Sequence, residues 1–195
     1  MNSIDPSQLS PSARQAFKLI EFDDNEKLLL EIRKHPFGLF VIYLIGTFVT
    51  VSMLAVVFAA AFASGDALEV GVDASTIQAP LIFIGFIMAI LSLVMTAIGS
   101  YLYKSNVVLV TSEKISQLIN VTIFNRKISQ LSIGDVQDVT VTQKGIFAHL
   151  FKYGTIVIET AGEQANYNFT FSPNPYEAAK IIVGAHETNL KEFGN

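Results

Sequence analysis

The stretch Phe37–Ala63, FGLFVIYLIGTFVTVSMLAVVFAAAFA, decides the first half of the fold. It contains no Asp, Glu, Lys, Arg or His, and its only interruptions are Gly38, Gly46, Thr47, Thr50 and Ser52, all tolerated inside membrane helices. A second stretch, Ala79–Tyr103, APLIFIGFIMAILSLVMTAIGSYLY, repeats the pattern with Pro80 at its start. Crossing about 30 Å of hydrocarbon at 1.5 Å per residue takes roughly 20 apolar residues. Both runs exceed that length and predict a pair of transmembrane helices. A cleavable leader is the competing reading of the first run, since Ala61-Phe62-Ala63 precedes Ser64-Gly65. Leaders have short basic starts and brief apolar cores, whereas 36 residues bearing Asp23, Asp24, Glu26 and Glu31 stand ahead of this run.

Composition agrees with this reading. Of 195 residues, 51% are hydrophobic and only 15% charged, against roughly 25% charged in ordinary soluble domains. Fifteen Phe and six Tyr exclude general disorder. With no Cys there is no disulfide framework, thiolate metal site or cysteine nucleophile. A net charge of −4 argues against a nucleic-acid partner.

The basic residues set an expected orientation. All 13 Lys and Arg lie on the two terminal segments, and the connection Ser64–Gln78 carries Asp66, Glu69 and Asp73 but no cation. By the positive-inside rule both termini are cytoplasmic and the connection lies outside. Neither apolar run holds an ionisable group, the usual mark of an ion path, so the helices read as scaffold. Small residues recur along them at helical spacing, Ala55, Ala59 and Ala63 on one and Gly85, Ala89, Ser92, Thr96 and Ser100 on the other, which suits close packing.

After Lys104 the apolar period changes to two. Val107–Thr111, Lys114–Ile119, Val121–Phe124, Ile128–Ile133, Val136–Val141, Thr155–Glu159 and Tyr167–Ser172 read as six or seven short strands, with a turn at Asn125-Arg126-Lys127. The sequons at Asn120 and Asn168 read as strand residues. A final helix starts where Asn174 can cap, Pro175 suits the first position and Glu177 can reach back. Ala178, Ile181, Ile182 and Ala185 form its apolar stripe, placed to cover an end or edge of the sheet.

Upstream of the first helix, Leu28, Leu29, Leu30 and Ile32 are too apolar to stay in water. This stretch is expected to pack on the β domain as an added strand, with residues 1–10 mobile.

The tracts Val108-Leu-Val-Thr-Ser-Glu-Lys-Ile, Ile123-Phe-Asn-Arg-Lys-Ile-Ser-Gln-Leu-Ser-Ile-Gly-Asp-Val and Tyr153-Gly-Thr-Ile-Val-Ile-Glu-Thr-Ala-Gly resemble the bacterial pleckstrin-homology domain of YdbS-like membrane proteins. Glu26-Lys-Leu-Leu-Leu-Glu-Ile-Arg-Lys-His-Pro is similar to that family's lead into its first helix, so the likeness spans roughly residues 25–190. One departure is Asn120-Val121-Thr122, where related chains often carry a turn glycine. The resemblance implies a membrane helical hairpin joined to a small mainly-β domain, a partly open barrel of about seven strands capped by a C-terminal helix. It also implies a bacterial plasma-membrane setting. The expected organisation is a cytoplasmic segment 1–36, helices 37–63 and 79–103, an extracytoplasmic loop 64–78 and a cytoplasmic domain 104–195.

Candidate site residues are few. His35, His149 and His186 have no metal-ligand spacing, and no nucleophile elbow, phosphate loop or dinucleotide fingerprint occurs. No catalytic, cofactor or metal residue is assigned, and the chain is expected not to be an enzyme. Gly154, Gly162 and Asp135 read as turn residues. The segment Gly145–Tyr153 places Phe147, Leu150 and Phe151 on one helical face, which would either plug the barrel or contact a partner or membrane. Arg126, Lys127, Lys144 and Lys152 are candidate anion or headgroup contacts. The basic cluster that marks anionic-lipid recognition is missing, since Lys104 onward has eight basic and eight acidic residues. Two functions remain: a membrane-anchored interaction module or scaffold with a protein partner or its own copies, and a lipid-headgroup or anion sensor.

Overall fold

The computed structural model describes residues 4–62, 74–160 and 167–193, and the chain forms two compact units, Leu39–Tyr101 and a second made of Met1–Gly38 with Leu102–Asn195. The elements are α1 (Pro11–Phe17), β1 (Leu28–Arg33), α2 (Pro36–Phe62), α3 (Ala74–Ser105), β2 (Val107–Thr111), β3 (Lys114–Asn120), β4 (Arg126–Ser132), β5 (Val136–Thr142), α4 (Ile146–Leu150), β6 (Tyr153–Thr160), β7 (Tyr167–Pro173) and α5 (Pro175–Phe193).

The first unit is the pair α2 and α3, each long and apolar enough to cross a membrane. Small residues let the two backbones approach: a Cβ on Gly46 would meet the Thr96 side chain, and one on Gly85 would meet Val57. The Thr50 hydroxyl bonds the Gly46 carbonyl at 2.8 Å and the Ser92 hydroxyl at 3.1 Å, so its polar atom is satisfied inside an apolar pair. α3 starts at Ala74, upstream of the expected position 79, and Pro80 lies within it. Gln78 uses this extra turn to bond the Ala60 and Ala61 carbonyls at the end of α2, at 2.7 and 2.9 Å. Positions 64–73 of the expected 64–78 loop, and Gly162, lie outside the described residues.

The second unit is mainly β. Its strands form a four-stranded antiparallel sheet, β1-β2-β3-β4, and a three-stranded one, β5-β6-β7, which do not close into a barrel. Six strands follow the helices, and the seventh, β1, precedes them. Val121–Phe124, expected to be strand, is instead the tip between β3 and β4. Asn120 pairs with Arg126, and the Asn125 carbonyl accepts from the amides of both Val121 and Thr122. The Thr122 hydroxyl accepts from the amides of Phe124 and Asn125, a side-chain turn that ends the ladder and replaces a turn glycine.

β2 shows why the four-stranded sheet needs two cores. All five of its residues are buried. Val108 and Val110 face inward with Ile115, Leu131, Ile133, Ile156, Ile158 and Phe169, under Ala178, Ile182 and Ala185 of α5. Val107 and Leu109, on the opposite face, pack with Leu118 against Ile4, Leu9, Ala13, Ala16 and Ile20. Alternation along a strand puts both sets out of water at once. In β1 a bulge between Leu28 and Leu30 sends Leu28 to the outer core while Leu30 and Ile32 join the inner one.

The N-terminal segment is therefore a cover for the sheet. Ile4 and Leu9 are buried, which corrects the expectation of mobility for residues 4–10; residues 1–3 lie outside the described residues. The Ser10 hydroxyl caps α1 by accepting from the Ala13 amide at 3.2 Å, and the Ser10 amide donates to Glu31 on β1. Ala13 and Ala16, nearly inaccessible, allow α1 to lie close to the strands. Ala16→Leu is expected to overpack this layer and cost about 1–3 kcal/mol, measured by denaturant unfolding in detergent. Unchanged stability would show that α1 does not rest on the sheet.

Candidate functional site

The β unit contains the roots of both apolar helices, Pro36–Gly38 and Leu102–Ser105. Its most distinctive chemistry lies at those roots. Arg33 on β1 pairs with Val107 on β2, so strand pairing brings the start of α2 beside the end of α3. The Phe37 amide donates to His35 Nδ1 at 3.1 Å, so this nitrogen carries no proton, and burial keeps the imidazole below its usual pKa. The Tyr103 hydroxyl donates to the His35 carbonyl at 2.7 Å. Gly38 is required there, because a Cβ would collide with the Tyr103 ring.

Aromatic rings extend this junction into the three-stranded sheet. Phe37 stacks on Phe147, Phe151 and Tyr153 with centroids 5.6, 5.0 and 5.0 Å apart. Tyr153 continues to Phe171 at 5.2 Å, and Phe171 meets Tyr103 edge-on at 6.1 Å. Phe171 has a φ of 54°, a region that bulky residues rarely occupy, and its carbonyl accepts the His35 amide at 2.6 Å. Lys34 sits over the Phe169 ring and donates to the Thr170 carbonyl and hydroxyl at 2.6 and 2.8 Å. Its loss of solvent lowers the ammonium pKa to about 8.

α4 resolves the alternatives left open for residues 145–153. It begins at Gly145, whose φ of 87° favours glycine, and only Ala148 within it is buried. Ile146, Phe147 and Leu150 are 83, 60 and 68% exposed, and Phe151 is exposed as well. The barrel-plug reading is overturned. Phe147 and Phe151 converge on Phe37, whereas Leu150 and Ile146 point outward. Near the start of β6, Gly154 lies close to the neighbouring strand: a Cβ there would be 2.8 Å from the Thr142 carbonyl oxygen.

The cation candidates fall into two pairs. Arg126 and Lys127 open β4 beside the 121–125 tip, and Arg126 Nε bonds the Asn120 side-chain carbonyl at 3.0 Å. Lys144 and Lys152 bracket α4. All four are exposed. The pairs lie on different elements, one at the start of β4 and one at the two ends of α4. Sequence reading missed the exposed Val121, Ile123 and Phe124, because their alternation and β-branched character imitate a strand.

A carboxylate cluster also went unnoticed. Asp23, Glu26 and Glu113 bring oxygens within 4.8 Å of one another. Glu26 is fully buried, accepts from the Thr111 hydroxyl and lies 3.2 Å from Lys114 Nζ. Burial, then the bond to Asp23 and the neighbouring negative charges, raise the Glu113 carboxyl above its usual pKa. The Lys114 ammonium already supplies a cation, so the cluster reads as a buried ion pair that ties the N-terminal cover to β2 and β3. An open groove of about 510 Å³ runs along the contact of α5 with β5, lined by Val139, Val141, Tyr176, Ala179, Lys180 and Val183.

A family model described as the bacterial PH domain matches residues 39–183, three quarters of the chain. The protein belongs to the bacterial PH-domain family. The match runs from α2 into the first half of α5 and leaves β1 and the N-terminal cover outside it. No curated protein and no solved structure matches the chain.

Two outcomes follow from the site geometry. Phe147→Ala is expected to cost about 0.5–1.5 kcal/mol, the value of its ring contacts. Ile182→Ala, in the inner core, should cost about 2–5 kcal/mol by denaturant unfolding in detergent. Equal large losses would mean that α4 is core. For Lys34, the unfolded chain keeps a proton up to about pH 10 that the folded chain releases near 8, so stability should rise between those values. Lys34→Met is expected to flatten that rise in unfolding midpoints taken at pH 7 and 10. An identical pH dependence in the variant would refute the assignment.

Proposed function

We infer that the protein is a membrane-anchored, non-catalytic interaction module that presents its PH-like unit at the cytoplasmic face of the plasma membrane. The observation that carries this reading is that β1 and β2 flank the two apolar helices and pair with each other, so the β unit includes both helix roots. Such a unit stays at the membrane surface whatever it binds. The 13-to-0 distribution of basic residues supports the cytoplasmic side, with both termini inside. The partner is a protein or a second copy of the chain, and the accessible groove between α5 and β5 offers an apolar surface of suitable kind. Two separated cation pairs favour this over a headgroup or anion sensor, which would need convergent charge.

Because the chain lacks Cys, single cysteines can be labelled without background. An impermeant maleimide on intact cells is expected to label Asp73→Cys and to leave Glu187→Cys unlabelled until the cells are opened. In the same cells, a photo-crosslinking residue at Tyr176 or Val183 should give one discrete protein adduct that positions on other faces do not give. Reversed labelling would overturn the cytoplasmic placement. Absence of any protein adduct across the surface of the β unit would overturn the interaction role.

A further inference from the structure

Two apolar projections leave the β unit at its helix roots. The first is the 121–125 tip. Val107 opposes Leu118, so residues of β3 beyond Leu118 run past the start of β2 towards the end of α3. Asn120 marks that level, with its amide bonded to Asn106 Oδ1 at 2.7 Å and its Nδ2 to the Ser105 carbonyl at 3.3 Å. The tip lies further out. Beside the turn residues Thr122 and Asn125 this tip carries Val121, Ile123 and a Phe124 that is 98% exposed, where polar side chains would suit water. The second projection is α4, keyed through Phe147 and Phe151 to Phe37 at the root of α2, with Ile146 and Leu150 turned outward.

We propose that the 121–124 tip and the Ile146–Leu150 face of α4 are paired docking surfaces for the lipid bilayer, each entering the headgroup region beside one helix root. The proposal rests on the reading of α2 and α3 as membrane anchors. It commits to lipid because each projection is joined directly to a root, the level at which a spanning helix passes from hydrocarbon to headgroups. Apolar faces at that level embed about 5–10 Å into the interface. Charge agrees with the placement: Arg126 and Lys127 flank one projection, Lys144 and Lys152 bracket the other, and all are exposed where phosphates would lie. Asp138 and Glu159, the exposed acids of β5 and β6, sit at the far ends of those strands from α4. Docking at two points would hold the β unit in one orientation to the leaflet, with the recognition face fixed relative to the membrane. This use of the cations needs no headgroup selectivity.

The test uses the full-length Cys-free chain in liposomes, with a fluorophore on one cysteine at a time: Phe124→Cys, Leu150→Cys, Phe58→Cys within α2, and Glu187→Cys on α5. Nitroxide-bearing lipids are expected to quench the Phe124, Leu150 and Phe58 positions, and iodide should quench the first two at least about threefold less than Glu187. If Phe124 and Leu150 match Glu187 towards iodide while Phe58 remains lipid-quenched, docking is overturned and anchoring stands. Shielding of both tips from iodide and from nitroxide lipids would mean that protein, such as a second copy, covers them, which also overturns the proposal. Iodide access at Phe58 would remove the anchoring on which both readings rest.

Discussion

The pairing of β1 with β2 is the constraint on which the rest of the structure depends. These strands are separated in the chain by both apolar helices, yet Arg33 lies opposite Val107. The backbone bonds of that ladder return the end of α3 to the start of α2, which closes a long excursion whose entropy cost grows only slowly with length. The ladder also completes the four-stranded sheet. Without β1, the β2 edge would present unpaired amides and carbonyls, and the bulged strand would no longer link the outer core to the inner one.

The aromatic junction adds side-chain specificity to this backbone closure. His35, Phe37 and Tyr103 come from the helix roots, while Phe171 and Tyr153 come from the three-stranded sheet. Each ring contact is worth about 0.5–1.5 kcal/mol, and together they couple the two sheets where no ladder joins them. The bonds of Lys34 and the His35 amide to Thr170 and Phe171 supply polar links across the same seam. The uncommon backbone of Phe171 is held by these contacts on both sides, the circumstance in which such conformations persist.

Exposure and burial divide the apolar residues of the β unit by role. The inner and outer cores consume the Val, Ile and Leu of the strands, and α5 contributes Ala178, Ile182 and Ala185. What remains outside is concentrated in two short connections and on the outer face of α5. A soluble domain of this size would keep such connections polar. Here they belong to a chain that also carries two helices long and apolar enough to cross a membrane.

By itself the sequence determined the features that follow from local periodicity: two apolar helices from their uninterrupted length, the strands of the β unit from alternation, and the start of α5 from Pro175 after Asn174. These are properties of neighbouring residues, so they survive without knowledge of distant partners. The stretch Leu28–Ile32 was legible as a segment needing cover because it is too apolar to stay in water, and its pairing with β2 came from the structure. Tertiary structure alone decided which apolar residues are covered, because burial depends on what arrives from elsewhere in the chain. Val121–Phe124 alternates like a strand yet ends as a tip, since the Thr122 and Asn125 bonds stop the ladder. Phe147 and Phe151 could have plugged the sheet, but they stay exposed and stack on Phe37 at the helix root. Ile4, Leu9 and Glu26 look like residues of a polar leader until the outer face of β2 and the Thr111 and Lys114 side chains give them partners. Composition carries none of this, because a contact between residues 26 and 111 is set by the path of the whole chain between them.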